Sequence, residues 1–86
     1  MKELEKVFRA LANRRRLSVV SYLKSNRRAS VGEIAGAIKL SLKATSKHLR
    51  ILNDAEIVER EQRGLTAYYF LGTDMPARTA RIIHLL

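Results

Sequence analysis

The sequence predicts a mostly α-helical domain with one small β-hairpin, and two observations support this fold class. Apolar residues recur with a helical spacing from Leu4 to Leu52. After Asn53 they alternate with polar residues, which is typical of strands, and a helical spacing returns near the C-terminus. At 86 residues the chain has the length of a single domain, 1–86, because chains divide into several domains only well above this size.

Two helices are predicted at the N-terminal end. The first covers 2–12, and its apolar stripe consists of Leu4, Val7, Phe8 and Leu11. The second covers about 14–24 and begins after Asn13, a residue type whose side chain accepts hydrogen bonds from the free backbone amides of a first turn.

A pair of helices separated by a very short turn, 39–41, follows. Ser30 and Glu33 have the spacing of a capping box, which opens a helix over about 31–38. Ser41 caps the next helix, 42–54, whose inward stripe is Leu42, Thr45, Leu49 and Leu52. A second stripe lies roughly 130° away around this helix and consists of Lys43, Ser46, Lys47 and Arg50.

A hairpin and a last helix complete the chain. The hairpin has a strand over 57–61, a turn over 62–65 in which Gly64 takes a positive φ, and a return strand over 66–71. The last helix covers 75–86, and its stripe consists of Thr79, Ile82, Ile83 and Leu86.

The positive charge is concentrated in one part of the chain. Seventeen Lys and Arg against eight Asp and Glu give a net charge of +9. Ten of these basic residues but only one acid, Glu33, fall within 13–50, so this block carries the whole excess. Such a block indicates a polyanionic partner, either nucleic acid or an anionic membrane surface. The alternative is a solubilising charge that has no partner.

Several classes of function are excluded. The chain has no cysteine, so it forms neither disulfides nor thiolate metal sites. The first six residues are too charged for a signal peptide, and the apolar runs are far shorter than the ~20 residues of a membrane span, so we expect a cytoplasmic protein with no membrane partner. No nucleophile, phosphate-loop or zinc-protease motif is present, and we expect no enzyme and no cofactor.

The order of the elements, α-α-α-α-β-β-α, is that of a winged helix-turn-helix domain. Helix 42–54 would fit the major groove of double-stranded DNA, about 12 Å wide, with its inward stripe in the core. Its basic and small polar residues would then reach phosphates and base edges. The candidate DNA-binding residues are Arg16, Lys39, Ser41, Lys43, Ala44, Ser46, Lys47, His48, Arg50, Arg63 and Gly64.

Two residues of helix 42–54 have more than one possible role. His48 lies between the two stripes, so a packed side chain and a DNA contact are both open. Thr45 is a polar residue on the inward stripe, and we expect its hydroxyl to donate to a carbonyl of the same helix.

The chain resembles the ArsR/SmtB-type winged-helix transcriptional repressors over roughly residues 4–71. Residues 11–17 are similar to the family's Leu-Ala-Asp-Pro-Thr-Arg-Leu segment, and 43–52 are similar to its Ser-x-Val-Ser-x-His-Leu-x-x-Leu pattern. The wing pattern, Gly-x-x-x-Tyr-Tyr-x-Leu, is matched by Gly64, Tyr68, Tyr69 and Leu71. The resemblance implies a homodimer that binds a palindromic operator and is released by an effector.

The chain departs from this family at its sensing positions and at one turn. Where sensing members often carry Cys-Val-Cys, this sequence has Ser30, Val31 and Gly32. His84 has no second His on the last helix, so we expect no metal site, and the effector is unknown. Glu56 replaces the family's Gly after the recognition helix, which predicts that the chain turns earlier, at Asn53 and Asp54.

The two terminal apolar stripes predict a dimer. We expect them to have no place in the core of one subunit and to pair across a two-fold axis. The predicted interface residues are Leu4, Val7, Phe8, Leu11, Ile82, Ile83 and Leu86. The predicted function is a sequence-specific DNA-binding regulator, a repressor that binds a palindrome as a homodimer. The alternatives are a sequence-independent DNA-coating protein and a winged helix used as a protein-interaction or membrane-surface module.

Overall fold

The computed structural model describes residues 2–86, and it confirms the predicted fold class of helices with a small hairpin. Within this range lie five helices and three strands. The helices are α1 Lys2–Leu11, α2 Arg14–Ser25, α3 Val31–Ile38, α4 Leu42–Asp54 and α5 Ala77–Leu85. The strands are β1 Ala29–Ser30, β2 Val58–Arg63 and β3 Thr66–Leu71.

Polar caps begin three of the helices at the predicted residues. The Asn13 side chain accepts a hydrogen bond from the Arg16 amide at 3.1 Å. Ser30 and Glu33 form the full capping box of α3, in which each side chain accepts from the other residue's amide. The Ser41 hydroxyl accepts from the Ala44 amide at 3.1 Å and so fixes the first turn of α4.

The sheet is larger than predicted and its turn is tighter. It is antiparallel with the order β1-β3-β2, and β1 pairs Ala29 with Tyr69. This strand of two residues is too short to show any alternation in the sequence. Because Arg63 pairs with Thr66, the turn consists of only Gly64 and Leu65 rather than 62–65. Gly64 has the expected positive φ, 61°.

The core contains side chains from all five helices and from the hairpin, among them Val20, Ile34, Leu49 and Val58. Part of the predicted dimer interface belongs to this core, which corrects the expectation that both terminal stripes are free. The three residues buried within the chain itself are Val7, Leu11 and Ile83, at 2%, 7% and 5% exposure. They pack inward because α1 contacts α2, α4 and α5.

The chain does not turn early after α4. The helix continues to Asp54, and Glu56 takes the left-handed conformation with φ 61°. The Glu56 amide donates to the Asn53 carbonyl and the Ile57 amide to the Leu52 carbonyl, which together form a Schellman motif. These two bonds satisfy carbonyls of the last turn, so the turn expected at Asn53 and Asp54 does not form.

Candidate nucleic-acid interface

Helix α4 has one buried face and one exposed face, as its two stripes predict. Thr45, Leu49 and Leu52 are fully buried against the rest of the domain. Leu42 is the exception, because it lies in the first turn beyond the core and is 57% exposed. The exposed face carries Lys43, Ser46, Lys47 and Arg50.

These four side chains line a cleft between α4 and the hairpin. The cleft has a volume of about 540 Å³. Three further residues complete its lining, namely Asn53, Arg60 and Tyr69. Sequence reasoning missed all three: Asn53 is a residue of α4 itself, whereas Arg60 and Tyr69 reach α4 through the strand register, in which they pair with each other. The strand alternation did contain a signal for Arg60, since it shares a face of β2 with the buried Val58.

The cleft has a positive charge that the protein does not neutralise. Within residues 2–86 no acidic side chain pairs with Lys43, Lys47 or Arg50. The first turn of α4 also contains no acidic residue. Arg60 donates to the Gln62 side chain at 2.6 Å, a neutral partner that leaves its charge in place. An anionic ligand would therefore be attracted to this cleft.

The wing tip is exposed and differs in character from the cleft. Arg63 lies 3.4 Å from the Glu61 carboxylate, which also pairs with Arg28 at 3.0 Å. Both ion pairs are open to solvent and contribute little stability. Beyond them Gly64 and Leu65 form the tip, where the Leu65 side chain is fully exposed.

The turn before α4 holds three further candidates. Lys39 is exposed and takes the left-handed conformation with φ 57°, which ends α3. Ser41 uses its hydroxyl to cap α4, and Ala44 is half-buried behind that cap. A DNA contact by any of these residues stays a prediction.

Arg16, one of the candidate DNA-binding residues, points into the protein, and a DNA contact by it stays a prediction. Its Nε donates to the Ala10 carbonyl at 2.5 Å, and its Nη1 lies 3.3 Å from Nδ1 of His48. The neighbouring Arg15 also turns inward and donates to the Ile38 carbonyl at 2.8 Å. Of the three successive arginines, only Arg14 is exposed.

His48 is half-buried on the side of α4 next to Arg16. Burial lowers the pKa of its ring, and the charges of Arg16 and Arg15 lower it further. The neutral ring is therefore favoured at pH 7, and its Nδ1 accepts from the guanidinium in the tautomer that carries the proton on Nε2. This arrangement favours the packed alternative for His48 over a DNA contact.

The buried hydroxyl of Thr45 does not bond back to the helix. Its Oγ1 is fully buried and has no hydrogen-bond partner among the described residues, and the same holds for Thr79. The expected bond to a helix carbonyl is therefore wrong. Each hydroxyl carries a desolvation cost without a compensating hydrogen bond.

The outer surfaces of α1 and α5 retain apolar side chains. The two helices pack against each other, and Arg78 pairs with Glu3 at 2.7 Å. Phe8 and Leu86 are about half exposed, at 56% and 53%, and Leu85 is 84% exposed. The other members of the predicted interface, Leu4 and Ile82, are half-buried.

Residues 2–86 contain no cluster of three or more His, Cys, Asp or Glu with a geometry that would hold a metal ion. No helix in this range is both long and apolar enough to span a bilayer.

Comparisons with known proteins identify the family of this chain. Residues 13–60 match the bacterial regulatory proteins of the arsR family. The chain is 28% identical over 74 residues to the arsenical resistance operon repressor of Bacillus subtilis, covering 86% of this chain and 70% of the repressor. It is 31% identical over 80 residues to the transcriptional activator HlyU of Vibrio cholerae, covering 93% of this chain and 73% of HlyU.

Solved structures have the same architecture. Reduced HlyU from Vibrio cholerae matches 99% of this chain and 85% of its own with a TM-score of 0.83 at 30% identity. A homodimeric winged helix-turn-helix DNA-binding domain from Mycobacterium bovis, a possible ArsR-family regulator, matches 98% of this chain and 74% of its own with a TM-score of 0.85 at 30% identity. The chain is a winged helix-turn-helix protein and belongs to the ArsR family of bacterial regulatory proteins.

Proposed function

We propose that this protein is a cytoplasmic regulator of transcription that binds a palindromic operator in double-stranded DNA as a homodimer. Helix α4 enters the major groove, and the wing, 57–71, contacts the adjacent backbone or minor groove. Occupation of the operator represses transcription. The observation that carries the proposal is the exposed, unneutralised basic face of α4, which lines a cleft with Arg60 and Tyr69.

The shape and charge of α4 support base readout as well as general attraction. Its buried stripe holds the helix against the core, so the opposite face projects as a unit. Lys43, Lys47 and Arg50 can donate hydrogen bonds to phosphates and to the O6 and N7 acceptors of guanine. Ser46 lies among them and is short enough to let α4 approach the base edges closely.

A homodimer would cover the apolar surface that α1 and α5 leave exposed. We assign the contact to Leu4, Phe8, Ile82 and Leu86 of the predicted interface and add Leu85, which is the most exposed of the group. Exposed apolar side chains grouped on packed neighbouring helices mark an association surface. A two-fold axis there would place the two α4 helices one DNA turn apart, about 34 Å.

Selection of bound sequences from a random duplex pool tests the proposal. We expect a palindromic consensus whose half-sites are separated by about one helical turn. Competition between the selected site and random DNA then measures specificity. A ratio near one would instead support the sequence-independent coating protein, and no binding at physiological salt would support the protein-interaction module. Sedimentation that shows only a 9.8 kDa monomer at micromolar concentration would contradict the dimer.

A further inference from the structure

We infer that Arg16 is a positioning residue that fixes the recognition helix α4 to the dimerisation helix α1 and thereby sets the operator spacing the protein accepts. The inference rests on the proposed function. It assigns to Arg16 a role in specificity that requires no contact with DNA.

The Arg16 side chain forms a bridge between α1 and α4, and the geometry of this bridge carries the inference. One end of the guanidinium donates from Nε to the carbonyl of Ala10, in the last turn of α1, at 2.5 Å. The other end places Nη1 3.3 Å from Nδ1 of His48, in the middle of α4. Arg16 itself is held in the first turn of α2, because its amide donates to the Asn13 cap. One side chain thus joins three helices.

The surroundings of the bridge show why it matters for orientation. A cleft of about 370 Å³ lies where α1 faces the outer side of α4, so close packing does not fill this junction. Arg16 lines this cleft together with Ala10, Ile51 and Asp54. The directional hydrogen bonds of Arg16 therefore constrain the angle between the two helices at a place where apolar packing is incomplete.

The chemistry of the site requires arginine in particular. Its planar head presents separate donors to the two acceptors, whereas lysine has a single ammonium nitrogen. The positive charge also lies at the C-terminal end of α1, where the helix dipole favours a cation. The ring of His48 serves as acceptor through Nδ1, in the neutral tautomer that carries its proton on Nε2.

The angle between α1 and α4 has a direct consequence in a dimer. In the proposed dimer α1 lies at the two-fold axis and α4 lies on the DNA, so any change in this angle moves the two recognition helices relative to each other. A fixed angle selects one half-site spacing, and a loose angle accepts several.

The experiment compares wild type, Arg16→Gln and Arg16→Lys on the selected palindrome and on versions with one base pair added or removed at the centre. Arg27→Gln is the matched control, because Arg27 is exposed, lies on the loop after α2 and has no ion-pair partner within the described chain. We expect wild type and control to prefer one spacing by about tenfold or more. Both Arg16 variants should reduce this preference to about twofold.

The dependence of affinity on salt separates positioning from direct contact. Loss of a phosphate contact lowers the slope of log K against log salt by roughly 0.9 for each phosphate, or about twice that in a dimer. We expect Arg16→Gln to leave this slope unchanged while the affinity for the best spacing falls. A lower slope with the spacing preference intact would overturn the inference and make Arg16 a phosphate contact.

A measurement without DNA tests the bridge itself. The charge of Arg16 lowers the pKa of His48, so Arg16→Gln should raise that pKa in an NMR titration, whereas Arg27→Gln should not. An unchanged His48 titration would contradict the bridge.

The DNA-binding results distinguish failure of the proposed function from failure of the positioning role. If wild type binds no duplex, the proposed function fails. If wild type binds but Arg16→Gln keeps its spacing preference, only the positioning role fails. Circular dichroism checks that each variant is folded.

Discussion

The carbonyl oxygen of Glu56 lies 2.8 Å from the point where a Cβ of residue 72 would be, so only glycine fits at Gly72. The same contact brings the start of β2 to the end of β3, where the Gly72 amide donates to the Ile57 carbonyl at 2.8 Å. The left-handed turn at Glu56 therefore does more than end α4. It also fixes the base of the wing against the recognition helix.

The left-handed turn at Glu56 is strained, and the first prediction is that removing this strain stabilises the protein. A left-handed conformation costs a residue with a Cβ roughly 1 kcal/mol relative to glycine. We expect Glu56→Gly to raise the free energy of unfolding by about this amount in urea denaturation. Glu56→Ala keeps the Cβ and serves as the control, so an equal gain from alanine would show that strain is not the cause.

The second prediction concerns the buried hydroxyl of Thr45. Because its Oγ1 is fully buried without a partner, Thr45→Val removes a desolvation cost and adds an apolar contact. We expect a gain of about 1 kcal/mol in the free energy of unfolding. Thr66→Val, at an exposed position of β3, is the control and should change it little. A loss of stability in Thr45→Val would mean that the hydroxyl is hydrogen-bonded in solution.

The third prediction separates attraction from readout on α4. Lys47→Gln should weaken binding to specific and random duplexes alike and lower the salt slope, by roughly 0.9 for each subunit. Ser46→Ala should leave the slope unchanged and alter the selected consensus. Fluorescence anisotropy over a range of salt concentrations measures the slopes. Equal losses on both duplexes for both variants would argue against base readout by Ser46.

The fourth prediction follows from the lowered pKa of His48. Folded His48 takes up its proton at a lower pH than the unfolded chain, whose histidine titrates near 6.5. As pH falls through this window the unfolded state binds more protons, so stability decreases on acidification. His48→Asn keeps an acceptor near the Nδ1 position and cannot be protonated. We expect the loss of stability between pH 7.5 and 5.5 to be larger in wild type than in His48→Asn, and equal losses would remove His48 as the cause.

The fifth prediction tests the dimer surface. Phe8 is apolar and more than half exposed on α1, so Phe8→Glu should place a charge in the interface and yield monomers in sedimentation. Leu65→Glu is the matched control, because Leu65 is at least as exposed but lies on the wing tip. A dimer that tolerates Phe8→Glu would require a different interface.

The elements that local chemistry determines were predictable from the sequence. Asn13, Ser30 and Ser41 begin their helices in the structure as they do in the prediction, because a cap depends only on the next three residues. The two faces of α4 were also predictable from local sequence, since helical spacing alone places Lys47 and Leu49 on different sides of the helix.

The features that depend on distant residues were not predictable. The stripe containing Val7 is apolar in any case, but only the packing of α1 on the other helices shows that Val7 belongs to the core while Phe8 does not. The inward direction of Arg16 depends on His48, thirty-two residues away. Alternation along β2 indicates which face Arg60 shares with Val58, but the pairing of Arg60 with Tyr69 that brings both to the cleft is a long-range feature that no local pattern specifies.

Basic and acidic residues alternate along the first part of β2, so the register of the hairpin decides which charge faces α4. Arg60 faces the α4 cleft, whereas the neighbouring Glu59 and Glu61 lie on the opposite side, where Glu59 accepts from Thr73 and Glu61 pairs with Arg28. A slip of one residue would exchange the two sides and bring a carboxylate to the helix in place of the guanidinium. Backbone pairing between β2 and β3 thus decides whether the wing adds positive or negative charge beside α4, and mispairing during folding would weaken the positive potential of the cleft.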